Sequence, residues 1–267
     1  MKPPIFFRRL ANEVPLEWIN YVYRNLMNEA LWKHYFFWEA YQVLKLSNQG
    51  NWHGLSVLEP GCGNGVVGCL LSLLGAKVTL LDYSDEELTE ARRHAQALGV
   101  ESKIRFIQGD IFDMNIPEKF DIVWNDGVIE HFPDPALVIK NMMKLANPAG
   151  RVLVTVPAKY TLHSYLIRPI LRRCGKFYWD RWGEEKSYSQ NQLKKILIES
   201  GLKQVEVITS NLRRAFLDDN LVLPLLEKNK IFKKISFPLF KVFDYIETGL
   251  PIFRKAGFVT AGIGLVN

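Results

Sequence analysis

The run VLEPGCGNGVVG at 57–68 constrains this chain more than any other feature: a hydrophobic strand pattern passes straight into Gly61, Gly63 and Gly65 and then into a helical pattern. Glycines in such a turn let the backbone approach a ligand closely, and the helix N-terminus that follows supplies unpaired N–H donors. A nucleotide-like ligand is the natural occupant. The turn alone leaves its class open, because GNGVVG at 63–68 also satisfies the GxGxxG pattern of dinucleotide-binding folds. Glu59 is the first discriminator, since a carboxylate just before the turn repels a pyrophosphate but can pair with a cationic group. Its alternative is structural, a strand-end carboxylate capping nearby amides.

Beyond the turn, strand and helix patterns alternate through KVTLLD, SDEELTEARRHAQALG, KIRFIQGD, FDIVWND, PALVIKNMMKLA and RVLVTVP. They resume with SQNQLKKILIESG, KQVEVIT and finally GFVTAGIGLV. This order predicts parallel βαβ units. Ser84 followed by Glu87 reads as a capping box, and Gly99 and Gly150 as turn or C-cap glycines. Asp82 ends the second strand, where a carboxylate can accept from both hydroxyls of a ribose.

Taken in order, LEPGCGNG, LLDYS, QGD and FDIVWNDGVIEHF resemble the successive motifs of class I S-adenosylmethionine (SAM)-dependent methyltransferases over residues 56–156. The resemblance implies a Rossmann-like α/β fold: a mostly parallel seven-stranded sheet with helices on both faces. It implies SAM as cofactor and S-adenosylhomocysteine (SAH) as product. Glu59, Gly61, Gly63 and Gly65 would surround the methionine end, Asp82 the ribose with Tyr83 beside it, and Asp110 and Ile111 the adenine. Asn125, Asp126 and Gly127 would face the sulfonium and the acceptor. For Asp110 a helix N-cap is the competing reading. EHFPDP at 130–135 together with ANPAGRVLVTVP is similar to the branch containing ubiquinone and menaquinone biosynthesis enzymes and other small-molecule methyltransferases.

His131 is the expected general base, because imidazole titrates near neutrality, and Glu130 would orient it. The competing reading places both in the first turn of a helix, engaged in local hydrogen bonds. Glu130, His131 and Asp134 also form a conceivable metal cluster, but no second histidine lies nearby and no metal is expected.

The organisation reads as a helical, aromatic segment at 1–50 and a SAM-binding domain at 51–267 with insertions near 158–187 and 211–256. Tyr35 and Trp38 of the first segment, and Tyr178 and Trp182 of the first insertion, are the expected acceptor wall. That insertion mixes Arg168, Arg172, Arg173, Lys176 and Arg181 with aromatics, which suits an anionic or aromatic acceptor or a solvated face over a small apolar cluster. Residues 221–246 alternate apolar residues with lysines and read either as a lid on the sheet or as a contact with an anionic membrane.

The net charge of +6 admits anionic partners. Against nucleic acid stands the string NDGV after the fourth strand, where enzymes that methylate flipped bases carry a proline-shaped slot. A small-molecule acceptor, lipidic or aromatic, is expected, and no nucleic acid. Three cysteines without CxxC spacing, and no signal or membrane-spanning pattern, suggest a cytoplasmic protein, with peripheral membrane contact left open. Two other functions stay in view, a SAM-binding regulatory or scaffold protein without catalysis and an NAD-dependent oxidoreductase.

Overall fold

A computed structural model of the chain describes residues 52–73, 75–161, 163–173, 185–210 and 259–267. The expected helical segment at 1–50, the insertion at 211–256, and Tyr35, Trp38, Tyr178 and Trp182 lie outside these residues.

Seven strands form one sheet: β1 (Ser56–Pro60), β2 (Lys77–Asp82), β3 (Ile104–Gln108), β4 (Phe120–Asp126), β5 (Ala146–Pro157), β6 (Lys203–Ser210) and β7 (Val259–Leu265). Their spatial order is β3-β2-β1-β4-β5-β7-β6. The first five run parallel, and β7 enters antiparallel to both β5 and β6. The chain order reverses direction on either side of β1, so β1 and β4 flank the switch point where ligands of open α/β sheets bind.

Helices α1 (Val66–Leu73), α2 (Asp85–Ala97), α3 (Pro135–Leu145), α4 (Arg168–Arg173) and α5 (Gln190–Glu199) complete the described framework. Their boundaries follow from local chemistry. Ser84 Oγ accepts from the Glu87 amide at 3.2 Å, giving α2 its N-cap, and Gly99 takes φ 67° just past its end. Asp134 caps α3 ahead of Pro135, while Ser189 and Gln192 form a reciprocal capping box on α5. Gly150 lies within β5, next to Ala149 at φ 60°, rather than at a helix end.

Strand alternation splits the core between the two sheet faces. Val57, Val78, Leu80, Ile122, Trp124 and Leu153 build one layer with Leu88, Ala91 and Ala95 of α2. Leu58, Leu81, Val123, Val152 and Val154 build the other with Val138, Ile139 and Met142 of α3 and Leu193 and Leu197 of α5. The buried residues of α2 recur at helical spacing while Glu90 and Arg93 pair outside. Among the described residues no helix is long and apolar enough to cross a membrane.

At the amino ends of the strands, Asp121 of β4 ties three elements together. Its Oδ2 accepts from the Ser56 amide and hydroxyl, both at 2.8 Å, and its Oδ1 from Asn147 Nδ2 at 2.9 Å. Partial burial pushes this carboxyl up, but the hydrogen bonds from Ser56 and Asn147 and the charge of Lys77 outweigh it and hold the pKa below the ordinary value. Such a group stabilises the fold above its unfolded pKa, and that contribution disappears as pH falls through the lower folded value. Asp121→Ala is expected to cost roughly 2 kcal/mol, seen as a Tm lowered by about 4–8 °C at neutral pH and by less in acid. Thermal melts across that pH range check it; an unchanged Tm at neutral pH contradicts the tie.

Candidate active site at the carboxyl edge of the sheet

The glycine turn is sewn to the end of β2. Gly61 and Cys62 both donate their amides to the Leu81 carbonyl, at 2.7 and 3.0 Å, and the Gly65 amide closes the turn onto Cys62 O at 2.9 Å. Gly61, Gly63 and Gly65 all have positive φ, at 70°, 50° and 63°. Their surroundings differ. A Cβ on Gly61 would lie 2.8 Å from Val128 Cγ2, and one on Gly65 2.7 Å from Leu80 Cδ1 and 2.8 Å from Ala91 Cβ. Those two glycines let the turn nest against β2, α2 and the loop after β4. At Gly63 the nearest atom would be Glu87 Oε2 at 3.8 Å, so this position opens onto space a ligand can use.

Two buried carboxyls flank the turn. Asp82 Oδ2 accepts from the Gly63 amide at 2.8 Å and Oδ1 from the Ser84 amide at 2.9 Å, which fixes the carboxylate plane and leaves each oxygen a further acceptor site. Tyr83 beside it is 68 % exposed. Glu59 is buried in β1, and its Oε2 has no hydrogen-bond partner. Burial pushes its pKa well above the usual carboxylate range; the charges of Asp126 and Asp82 push the same way, and the Gly68 amide opposes them.

Beyond β3, Asp110 is exposed and its Oδ1 accepts from the Phe112 amide at 2.8 Å, an Asx turn and not the cap of an α-helix. Ile111 is buried, and Phe112 meets Phe132 edge to face at 5.0 Å. After β4, Asn125 is fully buried: its Nδ2 donates to Pro60 O at 2.8 Å, joining β4 to the strand that feeds the turn, and its Oδ1 has no partner. Asp126 Oδ1 accepts from Thr155 Oγ1, and Gly127, at φ 67°, donates its amide to Thr155 O at 3.1 Å.

Glu130 and His131 sit in a 3₁₀ turn, Ile129–His131, that is separate from α3. Glu130 is buried, and a Cβ on Gly127 would lie 3.7 Å from its Oε1, so its side chain turns back beneath the loop. The Glu130 carbonyl accepts from the Lys186 amide at 3.2 Å. His131 is half-buried beside it. Burial, and then the charge of Glu130, raise the pKa of Tyr188. Asp134 is occupied as the α3 cap, and among the described residues no group of three His, Cys, Asp or Glu is placed to hold a metal.

The topology thus sets Glu59, Gly61, Gly63, Gly65, Asp82, Tyr83, Asp110, Ile111, Asn125, Asp126, Gly127, Glu130 and His131 along the carboxyl ends of four adjacent parallel strands. Sequence reasoning missed Thr155, although a lone polar residue in the apolar strand RVLVTVP was the available signal. It also missed Val128, whose part depends on close approach between elements and leaves no local signature.

A family model described as a methyltransferase domain matches residues 52–228. The chain belongs to this methyltransferase family. Over 128 residues it is 32% identical to a ubiquinone biosynthesis O-methyltransferase of Colwellia psychrerythraea, covering 48% of this chain and 52% of that protein. A protein of the same description from Pseudomonas putida is 35% identical over 99 residues, 37% of this chain and 43% of its own. The chain spans about half the length of the curated relatives it matches. Among solved structures, a phosphoethanolamine N-methyltransferase 2 of Haemonchus contortus in complex with SAM aligns with TM-score 0.57 at 16% identity, covering 85% of this chain and 52% of that one. A putative sarcosine dimethylglycine methyltransferase of Galdieria sulphuraria aligns with TM-score 0.54 at 15% identity, covering 86% and 84%. At these identities the two structures show the methyltransferase fold.

The chain keeps Glu59 at a cost to its own stability. A carboxyl whose folded pKa is raised stabilises most below its unfolded pKa, and the contribution is lost as pH rises toward the folded value. Glu59→Gln keeps the shape and removes the titration. The variant is expected to match the wild type near about pH 4 and to melt about 2–6 °C higher near neutrality. A variant less stable than wild type at every pH contradicts this account of the group.

Proposed function

We propose that this chain binds SAM at the carboxyl edge of β1, β2 and β4 and transfers its methyl group to a small-molecule acceptor, lipidic or aromatic in character. The observation that carries the reading is Glu59: a buried carboxyl with an unpartnered oxygen, beneath a turn that opens at Gly63. A carboxyl so placed suits a ligand bearing an ammonium and a sulfonium and is unfavourable to a pyrophosphate, which weighs against the nicotinamide cofactor that the GNGVVG pattern also admits. Family membership points the same way.

The residues divide the task by position. Glu59 and the amides of the turn hold the methionine end, and Asp82 accepts from the ribose hydroxyls with the acceptor sites its two amide donors leave. Tyr83, Asp110 and Ile111 frame the adenine, and Phe112 extends that wall. When bound, SAM supplies a methyl group on an already activated leaving group, displaced in line. What this chain has to add is alignment and exclusion of water. Asn125, Asp126 and Gly127 fix the loop over the reacting centre through Pro60 and Thr155. His131 takes the proton of a hydroxyl acceptor, with Glu130 as its positioning residue. Tyr35, Trp38, Tyr178 and Trp182 are the candidates for the acceptor wall. Relatives described as ubiquinone biosynthesis O-methyltransferases support an oxygen acceptor on a hydrophobic molecule.

Incubation with methyl-labelled SAM and a metabolite extract, followed by mass spectrometry, is expected to give a labelled small molecule. A folded protein that binds SAM but labels nothing favours the non-catalytic scaffold. His131→Ala is expected to lower kcat by roughly 10²-fold or more while leaving SAH affinity unchanged; an unaltered kcat removes the base from the scheme.

A further inference from the structure

The chain that leaves β5 presents a surface of unusual composition. Tyr160, Tyr165, Leu166 and Ile170 are 62, 65, 54 and 45 % exposed within eleven residues of chain. Tyr160 and Tyr165 stack with ring centroids 6.4 Å apart, Leu166 follows Tyr165, and Ile170 lies one helical turn beyond Leu166. Isolated exposed apolar residues are ordinary, but a contiguous run marks a surface that meets something.

The sequence through this run is basic. Residues 158–179 contain five Lys or Arg and no Asp or Glu. Lys159 Nζ stands 5.8 Å from the Tyr160 ring centroid, and Arg172 and Arg173 are exposed in the last turn of α4. The segment is also anchored to the mouth of the site. Ser164 Oγ donates to Ala158 O at 2.7 Å, the Lys159 amide donates to Tyr188 O at 3.0 Å, and the returning chain donates from Lys186 to the Glu130 carbonyl.

We propose that residues 159–173 form a docking surface for an anionic phospholipid membrane, with Tyr160, Tyr165, Leu166 and Ile170 entering the headgroup–acyl boundary while Lys159 and Arg173 meet lipid phosphates. Tyrosine favours that boundary because one end of its side chain is apolar and the other wet. Leu166 and Ile170 decide against nucleic acid: exposed aliphatic side chains add nothing to a phosphodiester backbone, whereas a bilayer takes up tyrosine, aliphatic and cationic groups together. Docking of this surface sets the carboxyl edge of the sheet toward the bilayer, where a hydrophobic acceptor would be found. The surface goes beyond the methyl-transfer reading and does not depend on it.

The test is co-sedimentation of the full chain with vesicles of phosphatidylcholine alone and of phosphatidylcholine mixed with phosphatidylglycerol. The expected result is binding to the mixed vesicles, roughly tenfold or more above the neutral ones, largely lost in about 1 M salt. The double variant Lys159→Glu, Arg173→Glu and the triple variant Tyr165→Ser, Leu166→Ser, Ile170→Ser are each expected to weaken partition roughly tenfold or more with unchanged melting. Should a variant fail to fold, the lipid and salt dependence of the wild type still decides. Equal binding to neutral vesicles, no binding to either, variants that partition like wild type, or capture of a nucleic-acid oligonucleotide in place of vesicles each overturns the proposal.

Discussion

The carboxylate of Asp82 organises the site edge of this protein. Its two oxygens receive the amides of Gly63 and Ser84, so one side chain fixes both the glycine turn after β1 and the start of the loop that leads into α2. The turn is then held to the same strand end by Leu81 O. With both ends of the turn fixed, Gly61 and Gly65 must pass within contact distance of Val128, Leu80 and Ala91, which leaves Gly63 as the position open to a ligand. The rest of the site is arranged around a backbone that has little freedom left.

That arrangement concentrates acids. Glu59 and Asp82 are buried, and Asp126 stands close enough to raise Glu59 further. The two buried thiols nearby respond to the same field: burial and then Glu59 push Cys69 up to about 12, and Cys62 is raised as well, so neither is a nucleophile. A cluster of buried acids of this kind is a poor bargain for folding alone. It becomes favourable when a cationic ligand supplies the counter-charge, the usual relation between a functional site and the stability it forgoes.

Much of this was legible in the sequence because the governing signals are local. Strand and helix periods differ, so all seven strands and the helices α1, α2, α3 and α5 could be read from patterning, and the glycine turn announced itself by residue type. The cap at Ser84 was equally visible. The parts that escaped depend on register and approach. Nothing local to Asn125 says that its side chain is spent on Pro60, because that bond needs β1 and β4 side by side. Thr155 reaches Asp126 only through the β4–β5 register, and Asp110 closes an Asx turn where its position also suited a helix cap. The burial of Glu130 beneath Gly127 likewise emerges only when the loop after β4 folds back.

The central claim is that the edge formed by Glu59, the glycine turn and Asp82 is built for SAM. Isothermal titration of SAH into the wild type and into Asp82→Ala, with NADH titrated alongside, tests it most directly. The account predicts saturable SAH binding, weakened roughly tenfold to a hundredfold in the variant through loss of the carboxylate that fixes the turn and faces the ligand, and no binding of NADH. Folded wild-type protein that binds NADH and not SAH contradicts it.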